Sequence, residues 1–125
     1  MRVAIPVQSA ASDSELVASF GKAKQFALVT EKGEVSFVSV AEVEGGRDAA
    51  RTLIANDVDT VIVSHLGLNP YVLLKSYGIR VYCEEEANVK IDEALKSLRQ
   101  ERLMEVTPSN YQHVFGSADR AGQTG

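Results

Sequence analysis

The chain opens with apolar side chains at alternate positions, Val3, Ile5 and Val7. A period of two predicts a β-strand. Residues 25–30 and 34–40 predict two more strands, joined through Glu31-Lys32-Gly33, a hairpin-sized turn that carries a glycine. After Gly45-Gly46 the period lengthens. Ala49, Ala50, Leu53 and Ile54 share one face of a helix that Asn56-Asp57 closes. Residues 60–63 then read as a buried strand, 70–77 as a short helix and 79–82 as another strand. Ile91, Ala94, Leu95 and Leu98 mark a final amphipathic helix. The predicted order is βββαβαβα. From about residue 105 the periodicity fades into Ser, Gly, Asn, Gln and Thr, which predicts a domain over 1–104 and a polar, mobile tail over 105–125. Tyr111, Val114 and Phe115 offer the alternative of a short segment docked on the domain.

A helix between two strands implies that the strands are parallel and joined by a right-handed crossover. The opening meander adds antiparallel members. The expected fold is therefore α/β and ribonuclease H-like, with a five-stranded mixed sheet in the order 3-2-1-4-5. In such a sheet the ends of strands one, three, four and five share one edge, where open α/β sheets bind ligands.

That edge collects the residues with chemical potential. His65 follows strand four and Cys83 ends the apolar run of strand five. Neighbouring strands lie about 5 Å apart, so an imidazole and a thiol there can approach one soft or borderline metal ion. Asn69-Pro70 suits a helix N-cap and first turn, and Gly45-Gly46 leaves a bare backbone before a helix; both arrangements turn N–H donors toward an anion. Each feature also has a purely structural reading. A histidine past a strand serves as a hydrogen-bonded loop residue, a lone cysteine packs in a core, and Asn69-Pro70 with Gly78 starts and stops a helix. Glu84-Glu85-Glu86 reads as a solvated acidic turn rather than a hard-cation site.

Composition narrows the function classes. With 125 residues, 45% hydrophobic and 24% charged, the chain fits one globular domain. A net charge of −4 without a basic run gives nucleic acid and membrane surfaces little to hold. The start lacks a charged-then-apolar leader and no stretch reaches about eighteen apolar residues, so the expected location is cytoplasmic. A single cysteine cannot form an internal disulfide, which agrees with a reducing compartment. Enzymatic signatures are missing. A ribonuclease H-like nuclease needs carboxylates at the sheet centre to hold two divalent ions, whereas strand one offers Val3, Ile5 and Val7 and strand four offers Val61, Ile62 and Val63. Neither a GxSxG elbow, a GxxxxGK[ST] loop, HExxH nor CxxC occurs.

Several segments together resemble a known family. MRVAIPV, the Phe20-Gly21-Lys22-Ala23 element ahead of an aromatic-bearing strand at Phe26, the Gly-Gly before the first helix, VDTVIVSHLGLNP and GIRVY are similar to the dinitrogenase iron-molybdenum cofactor-binding family, over about residues 1–103. The resemblance implies a ribonuclease H-like fold and a non-catalytic protein that holds, carries or scaffolds a molybdenum- or iron-containing metal-sulfur cluster or its precursor, received from or passed to a partner protein. On that reading Phe20 and Gly21 shape the pocket and Lys22 adds charge beside it. Gly45, Gly46, Arg47, Gly67 and Asn69 supply donors and charge, and His65 and Cys83 are the candidate metal ligands. Two departures stand out. Many relatives carry a histidine in the glycine-rich segment where this chain has Gly45-Gly46-Arg47-Asp48, and the histidine-rich tail of some members is reduced to His113. A cluster must then use His65 or Cys83, or be held without direct protein ligands by helix N-termini, Lys22 and Arg47. The alternative function is a regulatory or protein-interaction module of the same fold that binds a small anion or no cofactor.

Overall fold

The structure, a computed structural model, describes residues 1–40 and 46–116. Its strands are β1 (Val3–Val7), β2 (Gln25–Val29), β3 (Val35–Ser39), β4 (Thr60–Val63), β5 (Arg80–Cys83) and β6 (Met104–Val106). The helices are α1 (Gly46–Ala55), α2 (Leu68–Ser76) and α3 (Ile91–Arg99), with a 3-10 turn at Phe20–Lys22 and a π-helical turn at Gln112–Gly116. One mixed sheet runs in the order β3-β2-β1-β4-β5-β6. β1, β4 and β5 are mutually parallel, while β2, β3 and β6 are added antiparallel. This is the α/β, ribonuclease H-like arrangement expected, with β1 central.

The sheet is covered on both faces, which explains why β1 and β4 are buried along their whole length. Ala4, Val61, Val63, Val81 and Val106 pack with Ala49, Leu53 and Leu74 on the face of α1 and α2. Val3, Ile5, Val7 and Ile62 pack with Ile91, Ala94 and Leu95 of α3 on the other. α1 is followed by Asp57 at φ 59°, α2 by Gly78 at φ 74° and α3 by Glu101 at φ 57°. A left-handed residue lets the chain leave each helix at once. Among the described residues no helix is long and apolar enough to cross a membrane.

The strand count corrects the sequence reading, which expected five. β6 is only three residues long and buries Val106 alone, too little to produce an alternating pattern. It is formed by the edge of β5, with Val81 opposite Val106 and Cys83 opposite Met104. Beyond it the chain stays on the domain instead of trailing away at 105: Tyr111 and Phe115 are buried in the same cluster as α1 and α2, and Val114 packs against it. This is the docked-segment alternative. Residues 117–125 lie outside the described residues.

Candidate functional site

Three parallel strands end on one sheet edge, and three connections start there. After β1 the chain loops back into the Phe20–Lys22 turn, and after β4 residues 64–67 lead into α2. The first two connections are tied together. Ser19 bridges His65 in parallel, and Phe20 N–H donates to His65 O at 3.2 Å.

α1 enters the same junction. A Cβ placed on Gly46 would lie 2.7 Å from Pro70 Cγ, 3.1 Å from Pro70 Cβ and 3.6 Å from Phe20 Cδ2. Real Cβ atoms do not come so close, so only glycine lets the start of α1 meet the start of α2 over the Phe20 ring. Phe20 is fully buried and meets Phe26 edge-on, with centroids 5.2 Å apart. It forms the floor of the junction. Gly21, Lys22 and Arg47 are exposed around it.

α2 begins two residues earlier than its Asn-Pro pair suggests. Gly67 occupies the N-cap with φ −65° and ψ 161°, and among the described residues no side chain caps the helix. Asn69 is therefore an exposed first-turn residue, not the cap expected from the sequence. Pro70 stands third in the helix, where a missing N–H still removes no intrahelical bond; the first of these bonds runs from Tyr71 N–H to Gly67 O at 3.1 Å. Among the described residues no side chain caps the backbone donors at the start of α2, which share an edge with the start of α1. Both starts carry the positive end of a helix dipole. Gly45 lies outside the described residues.

His65 and Cys83 both follow this edge, at the ends of the adjacent strands β4 and β5, where Val63 pairs with Cys83. Their surroundings differ. His65 is half-buried, with its ring edge-on to Phe115 at 5.6 Å. Cys83 is buried, and its thiol faces Ser64 O at 3.9 Å. Burial first, then the charges of Glu85 and Glu84, pushes that thiol up to about 11. A raised value makes the thiolate that a metal needs harder to form, so metal binding there must work against burial and two nearby carboxylates. Cys83 also lines an acidic cleft of about 320 Å³ with Glu84, Glu85, Glu86 and Arg102. Among the described residues no three His, Cys, Asp or Glu side chains converge as a metal-binding group.

Sequence reasoning missed what lies over residues 64–67. Tyr111 OH donates to Leu66 O at 2.8 Å and Tyr71 OH to Val106 O at 3.3 Å. The rings continue from one to the next, Tyr71 to Tyr111 at 4.7 Å, Tyr111 to Phe115 at 5.5 Å and Phe115 to His65 at 5.6 Å. The C-terminal segment therefore clamps the β4–α2 loop that presents His65 and Gly67. The helical spacing of Tyr111, Val114 and Phe115 was the available signal.

Known proteins share this architecture. An uncharacterized protein of Methanocaldococcus jannaschii is 30% identical over 112 residues, covering 82% of this chain and 89% of its own. A Thermotoga protein solved by NMR, assigned as a NifB protein of the DUF35 family, matches with a TM-score of 0.72 at 30% identity, over 83% of this chain and 91% of its own. The apo form of the orange protein from Desulfovibrio gigas matches with a TM-score of 0.78, over 85% of this chain and 92% of its own; at 17% identity that likeness speaks for the fold alone. The sequence profile described as dinitrogenase iron-molybdenum cofactor matches residues 1–101 of this chain, so the chain belongs to that family.

Proposed function

We propose that the protein is a non-catalytic carrier or scaffold for an anionic metal-sulfur cluster, of the iron-molybdenum type or a precursor of it, and that the cargo sits over the junction of α1 and α2. One observation carries this reading: the space a Cβ of Gly46 would need is taken by Pro70, so two helix starts meet on the carboxyl edge of the sheet. Sulfide-rich clusters are anionic, and backbone N–H groups with helix dipoles stabilise negative charge without losing a proton. Exposed Lys22 and Arg47 add charge beside them. The protonated thiol of Cys83 and its acidic neighbours make the end of β5 the poorer seat for such a cargo.

Holding a cluster by charge and N–H donors suits a carrier. No metal–protein bond has to break at hand-over, and a donor or acceptor protein can reach the cargo at an open edge. The test is loading. Isolated iron-molybdenum cofactor and, separately, tetrathiomolybdate are mixed anaerobically with the purified chain and passed through gel filtration. Molybdenum and visible absorbance co-eluting near one cargo per chain, and falling off with added salt, support the reading. Elution of protein without molybdenum in both experiments overturns it.

A further inference from the structure

β3 ends the sheet, and its register with β2 determines which backbone groups are already used. Thr30 N–H donates to Glu34 O at 3.0 Å and Val40 N–H to Lys24 O at 2.9 Å, one pair beyond each end of the ladder. Antiparallel ladders alternate hydrogen-bonded and non-hydrogen-bonded pairs. Ser36 and Val38 therefore direct their backbone groups to β2, while Val35, Phe37 and Ser39 direct theirs outward. Among the described residues no strand pairs with that outer side.

The two edges of the sheet are built differently. β6 is three residues long and carries Glu105, the short, charged kind of edge that resists pairing with another chain. β3 has five residues, Val-Ser-Phe-Val-Ser, without a charge or a proline, and its register with β2 runs through five pairs without a bulge. Val35 is 40% exposed, and Phe37 and Val38 are partly exposed. The strand has high β-propensity and none of the usual blocking devices.

We infer that β3 pairs antiparallel with β3 of a second copy of this chain, across a two-fold axis at Phe37. The outward groups belong to Val35, Phe37 and Ser39, so the same three residues serve both copies and the contact closes on itself. Val35 faces Ser39 of the other copy and Phe37 faces its own counterpart. Each such pair exchanges two bonds, so about six N–H···O bonds close the seam. The chain carries a net charge of −4, and β3 carries none of the charged residues, so two copies meet here without opposing like charges along the strand. A paired five-residue strand falls below the roughly 800 Å² per partner of a standard interface, which makes the dimer dissociable. Antiparallel pairing points the two carboxyl edges in opposite directions, leaving both cargo sites open. The inference stands independently of the proposed cargo.

Sedimentation velocity on a dilution series of the whole chain tests it. Wild type shows a reversible monomer–dimer equilibrium. Val35→Lys with Ser39→Lys sets like charges opposite each other and weakens the dimer by about tenfold or more. Val35→Lys with Ser39→Glu sets opposite charges across the seam in this register and restores it. Both positions are exposed, so circular dichroism and thermal melts should show the fold retained in each variant. A wild type that stays monomeric at every concentration, a dimer indifferent to the double lysine, or a failure of the lysine–glutamate pair to restore association each overturns the inference.

Discussion

The carboxyl edge of the sheet has two ends with opposite chemistry. Over β1 and β4, Gly46, Gly67 and Pro70 bring two helix starts together above the buried Phe20 ring, with Lys22 and Arg47 exposed nearby. At the end of β5, Cys83 is buried beside Glu84 and Glu85, and its thiol is pushed up to about 11. The thiol stands where acidic neighbours disfavour further negative charge, while the junction end combines two helix starts and exposed basic side chains with His65 on the adjoining β4–α2 loop. Backbone geometry, more than the identity of a soft donor, distinguishes the two ends.

The comparison is broken most severely at its floor. Phe20→Ala removes a fully buried ring from beneath the junction and should cost about 3–5 kcal/mol in urea unfolding. A loss under about 1 kcal/mol would mean that the junction does not depend on that ring. Next in size is a contrast between glycines. Gly46→Ala forces a methyl group against the Pro70 ring and should cost about 1–3 kcal/mol, whereas Gly67→Ala meets Pro70 only at 3.8 Å and should cost less than about 1 kcal/mol. Equal penalties would remove the steric reason given for Gly46.

A smaller effect is expected at the clamp. Tyr111→Phe deletes the hydroxyl that donates to Leu66 O and should lower stability by about 0.5–1.5 kcal/mol. Amide exchange in residues 64–67 should speed up more than in β1, and uniform acceleration would argue against a local clamp.

A further effect concerns pH. The folded-state value of the Cys83 thiol lies above its ordinary 9.0, so its stabilising contribution is fully present below about pH 9 and is lost as pH rises through about 11. Wild type should lose stability over that window more steeply than Cys83→Ala. Parallel pH curves for the two proteins would show that the thiol is not held protonated by the fold.

The contrast also explains what the sequence could reveal. β1 was legible from the alternation of Val3, Ile5 and Val7 and β4 because a strand covered on both faces becomes a continuous apolar run, Val61-Ile62-Val63, and the crossover rule then ordered the sheet. β6 was not legible, since a strand with one buried residue takes its identity from the edge it joins. Tyr111, Val114 and Phe115 showed helical spacing, but their polar surroundings outweighed it. Among the candidate site residues, the glycines and Phe20 were singled out through residue type and resemblance, while Asn69 misled as a helix cap because the cap fell on Gly67. For Cys83 the position on the edge followed from topology. Its protonation did not, because that depends on burial and on where Glu84 and Glu85 lie in space.

The central claim is that an anionic cargo rests on the helix starts and not on the thiol. Its most direct test is the dissociation constant for tetrathiomolybdate, measured anaerobically at pH 7.5 for wild type, for Lys22→Glu with Arg47→Glu, and for Cys83→Ser. The account predicts at least a roughly tenfold weaker constant for the double charge reversal and an unchanged one for Cys83→Ser. Unchanged binding after charge reversal together with lost binding in Cys83→Ser would contradict it and move the cargo to the end of β5.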